Sequence, residues 1–279
     1  MKKIIAILLA GFLALLPFTP YVMAEDHRPA PDPVEAATPP PQAAVAGFRK
    51  LGFNEEFEGP LDIGYGTRGH KWNAGLWWQP VAPASAFRLQ EGVLTITATA
   101  SERAELCTQY HDASGGTYFR GGYFEARMRC SDWSAFWLYC ADRPTVYGNR
   151  VLVSNAQTWT NEIDVLETDP KYPNAVFCTL HKNSSGDGGV PDAQNHPDYF
   201  PMPNGGSVFG QWHTYGVLWT QSTIAWYVDN VKVASVPSYP STWQPVQLII
   251  SAQPGGVDGS SSTALPPTTQ VQWVRVWEK

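Results

Sequence analysis

The hexapeptide Glu162-Ile163-Asp164-Val165-Leu166-Glu167 places three carboxylates on a stretch whose apolar residues are typical of a buried β-strand. Side chains alternate between the two faces of a strand, so Glu162 and Asp164 share one face and Glu167 points to the other. One extra residue, a β-bulge, returns Glu167 to the first face. The hexapeptide therefore predicts either a solvated edge strand with alternating charge or, with the bulge, a single surface lined by three acids.

The spacing of the two glutamates suits a known kind of chemistry. Five strand steps span about 16 Å, and a bulge and two inward-leaning side chains reduce the carboxyl separation to about 5–7 Å. Glycosidases that retain the anomeric configuration need about 5–5.5 Å, and inverting ones need about 6.5–9.5 Å. The spacing therefore indicates paired carboxylates for glycoside cleavage and leaves the stereochemistry open.

Seven further motifs flank the hexapeptide in collinear order, and their residues are Phe53-Asn54-Glu55-Glu56-Phe57, Gly122-Tyr123-Phe124-Glu125-Ala126-Arg127, Trp133-Ser134-Ala135-Phe136-Trp137-Leu138, Thr179-Leu180-His181, Trp212-His213-Thr214-Tyr215-Gly216, Trp226-Tyr227-Val228-Asp229 and Trp273-Val274-Arg275-Val276-Trp277. With the hexapeptide in its bulged Glu-x-Asp-x-x-Glu form, they resemble glycoside hydrolase family 16 from about Phe48 to the end of the chain. Ser134 replaces the proline that is usual in the third motif.

The pattern along the chain predicts an all-β fold. Val93 to Thr99 alternates apolar residues with threonine, and Asp229-Asn230 separates two strand-like runs as a hairpin turn does. Many short strands with turns between them indicate a sandwich, without distinguishing its type. The resemblance implies a β-jelly-roll, concanavalin-like sandwich with a substrate cleft on its concave sheet. Long loops are predicted at 141–160 and 182–210, where Pro, Gly, Asn and Asp are frequent.

The resemblance also implies catalytic roles by position. Glu162 would be the nucleophile and Glu167 the acid/base of a retaining double displacement. Asp164, between them, would help to raise the pKa of Glu167. His181 would lie beside the carboxylates, the alternative being a hydrogen-bonded structural histidine.

Candidate substrate-binding residues are tryptophans near the acids, because an indole can cover the apolar face of a sugar ring. Trp133 matches the family's cleft strand, Trp159 precedes Glu162 by three residues, and Trp137 fits either the cleft or the core. The resemblance implies an endo-acting glycosidase, with β-1,3-glucan as the expected substrate from the bulged subgroup. The alternatives are another polysaccharide such as a β-galactan or mixed-linkage glucan, transglycosylation, and a carbohydrate-binding protein without turnover.

The N-terminus reads as an export signal over residues 1–24. Lys2 and Lys3 precede an apolar run from Ile4 to Leu16, and cleavage is expected after Ala24. A membrane anchor is the alternative, but the run is shorter than the roughly 20 apolar residues that a spanning helix needs. Residues 25–46, rich in Pro and Ala, are expected to form a linker, and 47–279 a catalytic domain. We therefore expect a secreted or periplasmic protein with no membrane contact after cleavage, acting as a monomer.

Charge and cysteine content narrow the partners. Without Lys2 and Lys3, the chain carries 17 basic and 25 acidic residues, a net charge of −8 that disfavours nucleic acid as a partner. In an oxidising compartment Cys107, Cys130, Cys140 and Cys178 allow two disulfides in three pairings. Cys130–Cys140 is the first choice, and four buried thiols are the alternative.

No metal or cofactor is expected from the sequence, since the cysteines do not show zinc-ligand spacing. The resemblance implies a structural calcium in many relatives, held by an Asp just before the aromatic residue of the last strand. Gln272 stands at that position, and its neutral amide is a weaker ligand for a hard cation. A calcium ion is therefore not expected here.

Overall fold

The computed structural model describes residues 38–99, 101–140, 159–184, 199–238, 243, 245–255 and 266–279. In chain order its strands are β1 (Lys50–Glu55), β2 (Ile63–Gly64), β3 (Trp72–Ala74), β4 (Phe87–Gln90), β5 (Val93–Thr97), β6 (Ala104–Cys107), β7 (Gly122–Cys130), β8 (Trp133–Cys140), β9 (Trp159–Glu167), β10 (Ala175–Ser184), β11 (Tyr199–Pro201), β12 (Trp212–Trp219), β13 (Thr223–Val228), β14 (Val231–Pro237), β15 (Val246–Gln253) and β16 (Thr268–Glu278). The helical segments are α1 (Pro41–Val45) and two 3₁₀ turns, Ala84–Ala86 and Pro203–Gly205. No described helix is long and apolar enough to cross a bilayer.

The strands form two eight-stranded sheets. The first has the order β14-β13-β12-β7-β16-β5-β4, with β1 also paired to β16. The second, which we call the cleft sheet, has the order β11-β10-β9-β8-β15-β6-β3-β2. All pairs are antiparallel except β2 and β3. The predicted hairpin joins β13 to β14, and Asp229 and Asn230 both adopt the positive φ that a type I′ turn requires.

Strand alternation separates the core of the sandwich from its outer faces. On β8, Phe136 and Leu138 pack in the main core, whereas Ala135 and Trp137 belong to a separate cluster with Ile249. This second cluster marks the outer face of the cleft sheet, opposite the core. The catalytic strand predicted from the sequence, β9, lies between β8 and β10 in this sheet.

The folded domain begins earlier than the predicted boundary at residue 47. Residues 41–45, assigned to the linker, form α1, whose Ala43 packs with Tyr123 and Trp277 on the outer face of the first sheet. Gln42 donates a 2.6 Å hydrogen bond to the Tyr123 hydroxyl. The Pro- and Ala-rich composition suggested a segment that cannot bury surface, but the small methyl of Ala43 fits closely over two aromatic rings. The predicted signal peptide lies outside the described residues.

The preferred disulfide between Cys130 and Cys140 is absent, and all four cysteines are buried and form no disulfide in the described part of the chain. Cys130 ends β7, and Cys140 ends β8 at the far side of an eight-residue strand. Seven strand steps separate Trp133 from Cys140, about 23 Å, whereas a disulfide needs Cα atoms within about 7 Å. Proximity in sequence was misleading because the chain between them runs away from the β7–β8 turn in extended form.

Candidate active site

The predicted bulge is present in β9. Glu167 pairs with Ala135 of β8 and Asp164 pairs with Trp137, so residues 165–166 lie opposite Phe136 alone. The same two-against-one arrangement faces β10, where Cys178 is the single residue between the partners of Asp164 and Glu167. The extra residue restores Glu167 to the face that carries Glu162 and Asp164.

The apolar residues of the hexapeptide account for the bulge. Ile163, Val165 and Leu166 are all buried in the main core. Two consecutive core residues cannot both point inward on a regular strand, so burying Val165 and Leu166 together requires the extra residue. Hydrophobic burial on one side of the sheet therefore gathers three acids on the other.

His181 lies beside the carboxylates, as the resemblance implied. It pairs with Glu162 across β9 and β10, and its Nε2 atom is 2.8 Å from Oδ2 of Asp164. Asp164 is 3% exposed, so this contact joins a buried carboxylate to an imidazole that reaches the cleft. His181 can thus share a proton with the acid between the two glutamates.

Glu162, Asp164 and His181 each offer one ligand atom, and these atoms lie within 4.8 Å of one another. Two carboxylate oxygens and an imidazole nitrogen are donors that suit a divalent ion such as zinc. Asp164 and His181, however, already contact each other. Of these three residues, Glu162 is the one for which the described structure shows no side-chain contact to another member of the group. The grouping also serves proton and charge transfer without a metal.

Trp133 contacts the other glutamate. Its indole Nε1 donates a 3.1 Å hydrogen bond to Oε1 of Glu167. Trp133 and Glu167 both belong to the outer face of the cleft sheet, and Trp133 is half-buried there. The indole therefore orients the carboxyl of Glu167 and leaves part of its ring surface open to the cleft.

The electrostatics of the site favour protonated acids. Burial raises the pKa of Glu167 to about 8, the negative charge of Asp164 adds to this effect, and Trp133 and His181 oppose it. Burial also raises the pKa of Asp164 and of Glu162, and the charge of Asp164 raises that of Glu162 further while His181 lowers it. The pKa of Glu162 is also raised to about 8, and His181 lowers the pKa of both glutamates. At neutral pH Glu167 can therefore donate a proton, and the charge of His181 favours the ionised form of either glutamate.

The other predicted tryptophans differ in position. Trp137 lies on the cleft face but is only 7% exposed, and its Nε1 donates a 2.9 Å hydrogen bond to the Ser251 hydroxyl. It packs with Leu76 and Ile249, so it supports the floor of the cleft and does not offer a free ring to a sugar. Trp159 begins β9 opposite Ser184, but its side chain lies outside the described structure, and its role stays a prediction.

The structure adds residues that the sequence analysis did not identify. Tyr139 pairs with Glu162, and its ring lies 5.1 Å from that of Trp78, which approaches from the loop after β3. The sequence could have indicated Tyr139, because it lies six residues after Trp133 on β8 and residues an even number of positions apart share a face of a strand. Trp78 gave no signal, because its position depends on a loop crossing over the sheet.

Buried polar side chains extend the same face beyond β15. The amides of Asn73, Gln109 and Gln247 are buried and make no hydrogen bond among the described residues. Glu105 on β6 is also buried, which raises its pKa to about 7 against the opposing charge of Arg103. Their outer-face positions follow from strand alternation, since Leu106 and Leu248 point into the core. Polar groups are thus available along the floor of the cleft.

The Gln272 position does not fit a calcium ion. Its side-chain oxygen Oε1 accepts a 2.6 Å hydrogen bond from Nε of Arg127 on the neighbouring strand. A guanidinium at this distance occupies the oxygen that would bind the ion and repels a divalent cation. The family's usual Asp is therefore replaced by Gln272, and the positively charged Arg127 side chain lies beside it.

Comparison with known proteins agrees with this geometry. A profile described as Glycosyl hydrolases family 16 matches residues 84–275. The chain is 32% identical to the endo-1,3-1,4-beta-glycanase EglC of Rhizobium meliloti (strain 1021), over 71% of the chain and 39% of EglC. It is 28% identical to the beta-glucanase of Rhodothermus marinus, over 82% of the chain and 85% of that protein. The chain thus spans well under half of EglC and most of the Rhodothermus protein.

Solved structures share the fold. The laminarinase of Flavobacterium sp. UMI-01 superposes with a TM-score of 0.60 at 23% identity, over 82% of this chain and all of that one. LamAcat of Zobellia galactanivorans gives a TM-score of 0.62 at 19% identity, over 84% of this chain and 99% of that one. The sandwich is therefore the predicted β-jelly roll, with the cleft on its concave sheet. Since the family profile covers most of the chain, the protein belongs to glycosyl hydrolase family 16.

Proposed function

We propose that this protein is an exported endo-acting glycoside hydrolase that cleaves β-1,3-glucan with retention of configuration. The observation that carries the proposal is the β9 bulge, which sets Glu162, Asp164 and Glu167 on one wall beside His181 and Trp133. Relatives named as endo-1,3-1,4-beta-glycanases, and one from Niallia circulans named glucan endo-1,3-beta-glucosidase A1, support a β-glucan substrate.

The chemistry is a double displacement. In the first step, the Glu162 carboxylate attacks the anomeric carbon while Glu167 donates its proton to the leaving oxygen, so a glycosyl ester forms as the glycosidic bond breaks. In the second, the Glu167 carboxylate takes a proton from water, and the oxygen of that water displaces Glu162 from the same carbon. Two inversions give net retention, and both glutamates return to their starting states.

Asp164 and His181 adjust the charge of the pair. The buried Asp164 carboxylate helps to keep Glu167 protonated before the first step. Once Glu162 is esterified, its negative charge is gone and the pKa of Glu167 falls, which prepares Glu167 to act as the base. The proposal requires no metal or cofactor, and a monomer with the predicted export signal is sufficient.

A related specificity is the second candidate. Two relatives are named endo-1,3-1,4-beta-glycanases, and one structural neighbour is an endo-β-galactosidase from Clostridium perfringens. The three acids serve all of these substrates, and they also serve transfer to a sugar acceptor in place of water. The polysaccharide is therefore decided by the cleft surface beyond the acids.

The test is a screen of residues 25–279, the chain without its predicted export signal, against laminarin, mixed-linkage glucan, agarose and carrageenan. Release of reducing ends from laminarin, with oligosaccharides as early products, is the expected result. The variants Glu162→Gln and Glu167→Ala should each lose at least a thousand-fold in kcat, whereas Asp62→Asn, an exposed acid that pairs with His70, should be unchanged.

The outcome also fixes the mechanism. Proton NMR of the fresh product should show the β-anomer first, because retention preserves the configuration. Cleavage of galactans alone would overturn the substrate, an α-anomer appearing first would overturn the mechanism, and binding of laminarin without any release of sugar would assign the protein as a carbohydrate-binding protein.

A further inference from the structure

We propose that Thr168 is a positioning residue for the acid/base, because its hydroxyl holds the backbone of Trp133 and thereby keeps the indole N–H on the carboxyl of Glu167. The inference rests on the proposed glycanase function, in which Glu167 transfers the proton. It adds a residue to which the mechanism gives no role. Thr168 follows Glu167 directly in the chain, and its side chain is 0% exposed.

The Thr168 hydroxyl bonds the backbone on both sides of Trp133. Its Oγ1 atom donates to the carbonyl of Asp132 at 2.7 Å and accepts from the backbone N–H of Ser134 at 2.8 Å. The carbonyl belongs to the peptide unit before Trp133, and the N–H belongs to the unit after it. Because a residue's backbone has only two soft dihedral angles, holding both flanking peptide units fixes the direction in which the Trp133 side chain leaves the strand.

Two further hydrogen bonds join the same two segments. The backbone N–H of Thr168 donates to the Ser134 carbonyl at 3.1 Å, and Nε1 of Trp133 donates to Oε1 of Glu167 at 3.1 Å. Backbone and side chains thus form a closed ring that leads from Glu167 through Thr168 to Trp133 and back to the Glu167 carboxyl. The indole can leave the carboxyl only if one of these bonds is broken, and an unpaired buried polar group is costly.

The turn between β7 and β8 gives this bond its purpose. Asp132 has a φ of 55°, in the left-handed region that a residue with a side chain occupies at a cost in energy. Ser134 stands where the motif usually has proline, which by its shape alone holds the preceding residue in an extended conformation. Serine lacks that restraint but has an N–H, and the Thr168 hydroxyl bonds it. In this chain a hydrogen bond therefore fixes Trp133 where a proline ring would otherwise do so.

The position of Trp133 acts on the protonation of Glu167. Burial and nearby negative charge raise the pKa of Glu167 to about 8, and the hydrogen bond from Trp133 lowers it. Four other titratable groups face this carboxyl from β9 and β10, and they are Glu162, Asp164, Cys178 and His181. The Thr168 hydroxyl bonds backbone groups, so its removal reaches Glu167 through Trp133 and leaves these four groups in place.

The first test replaces Thr168 with Val, which has a similar shape and no hydroxyl. Once the peptide units beside Trp133 are released, its hydrogen bond to Glu167 weakens, and the pKa of Glu167 rises. On laminarin we expect kcat to fall about ten-fold with little change in KM, and the alkaline limb of kcat/KM to move up by about half a pH unit. Thr168→Ser retains the hydroxyl and should keep the parental values.

Thr108→Val is the matched control. Thr108 is also 0% exposed, and its hydroxyl donates to the Thr117 carbonyl at 2.8 Å and accepts from the N–H of Leu248 at 3.0 Å. Its loss should lower the thermal unfolding temperature about as much as Thr168→Val does and leave the pH profile in place. Thr168→Ala removes the same hydroxyl and serves if the valine variant does not fold. An equal shift of the profile in Thr108→Val would overturn the inference.

A second measurement needs no turnover. With heavy nitrogen in the tryptophan indoles, the NMR signal of Trp133, assigned with Trp133→Phe, should titrate with Glu167 at about pH 8. In Thr168→Val the midpoint should rise by about half a pH unit, whereas Thr108→Val should keep the parental midpoint. An unchanged midpoint in Thr168→Val would overturn the inference. A parent that shows the titration and its shift but hydrolyses no polysaccharide would support the positioning role and overturn the proposed function.

Discussion

Oδ2 of Asp164 lies 2.8 Å from Nε2 of His181 on the neighbouring strand, between the two glutamates of the cleft. Asp164 is the buried member of the acid group, and its charge raises the pKa of both Glu162 and Glu167, whereas His181 lowers both. The pair therefore acts as an adjustable charge beside the proposed nucleophile and acid/base.

Replacing Asp164 with Asn should shift the pH dependence of activity. Removing the negative charge lowers the pKa of Glu167, so the acid/base loses its proton at a lower pH. We expect the alkaline limb of kcat/KM to move down by about one pH unit and kcat to fall at least ten-fold. The measurement is a pH–rate profile on laminarin, with Asp62→Asn as the control at an exposed Asp–His pair. An alkaline limb that stays in place would show that Asp164 does not act on Glu167.

Replacing Glu167 with Gln should stabilise the protein at neutral pH. The pKa of Glu167 is raised to about 8 by burial, whereas a glutamate in the unfolded chain titrates near 4.3. Between these values the folded state holds a proton that the unfolded state releases, so this residue's contribution to stability falls as pH rises from about 4.5 to about 8. Glutamine does not titrate, so the variant does not lose stability in this pH range. We expect a gain of about 1–3 kcal/mol in the free energy of unfolding at pH 7.5.

The gain should nearly vanish at pH 4.5, where the glutamate is protonated in the folded protein. Denaturant unfolding of Glu167→Gln at both pH values measures it, and Glu102→Gln, at an exposed glutamate, provides the comparison. A variant less stable than the parent at pH 7.5 would mean that contacts within the folded protein stabilise the ionised Glu167 carboxylate.

The course of β9, the proposed catalytic strand, could be predicted because the information for it is local. Val165 and Leu166 are consecutive apolar residues flanked by acids, and burying both requires the bulge that gathers Glu162 and Glu167 on one face. The resemblance of its segment to the family's cleft strand also placed Trp133 on this face. These features depend on the two-residue period of a strand and on which side faces the core.

The edges of the site could not be predicted, because they depend on contacts distant in sequence. Residues 182–210 were predicted as a loop, yet Tyr199 lies on a short edge strand whose pairing with Phe177 spans about twenty residues. Trp78 reaches Tyr139 from a loop after β3. Long-range pairing and loop paths leave no periodic trace in the sequence, and the same limitation produced the wrong Cys130–Cys140 disulfide.

The four cysteines should behave as protected thiols. Burial raises the pKa of Cys107 and Cys130 to about 12, so their thiolates are scarce at pH 8. Protein prepared without reductant should show almost no reaction with a thiol reagent in its native state. It should react with four equivalents in denaturant. A count of two or none in denaturant would show that disulfides form in the mature protein.

Deleting Val165 should leave an active enzyme, because the deletion removes the bulge and not the acids. The shortened strand would alternate regularly, with Leu166 opposite Phe136 and Glu167 still opposite Ala135. Losing the buried valine should lower the free energy of unfolding by about 1–3 kcal/mol. Activity on laminarin should remain within about a hundred-fold of the parent, well above that of a variant lacking a catalytic glutamate.

Deletion of Ile163 is the matched control, since it also removes one buried aliphatic residue from β9. It leaves Asp164 to Glu167 in register but turns Glu162 from the cleft toward the core. We expect this variant to be inactive and more strongly destabilised, because a carboxylate enters an apolar layer. Laminarin assays and thermal unfolding of both deletions distinguish them. Equal loss of activity in the two variants would mean that the bulge itself, beyond the face to which Glu167 points, is needed for the reaction.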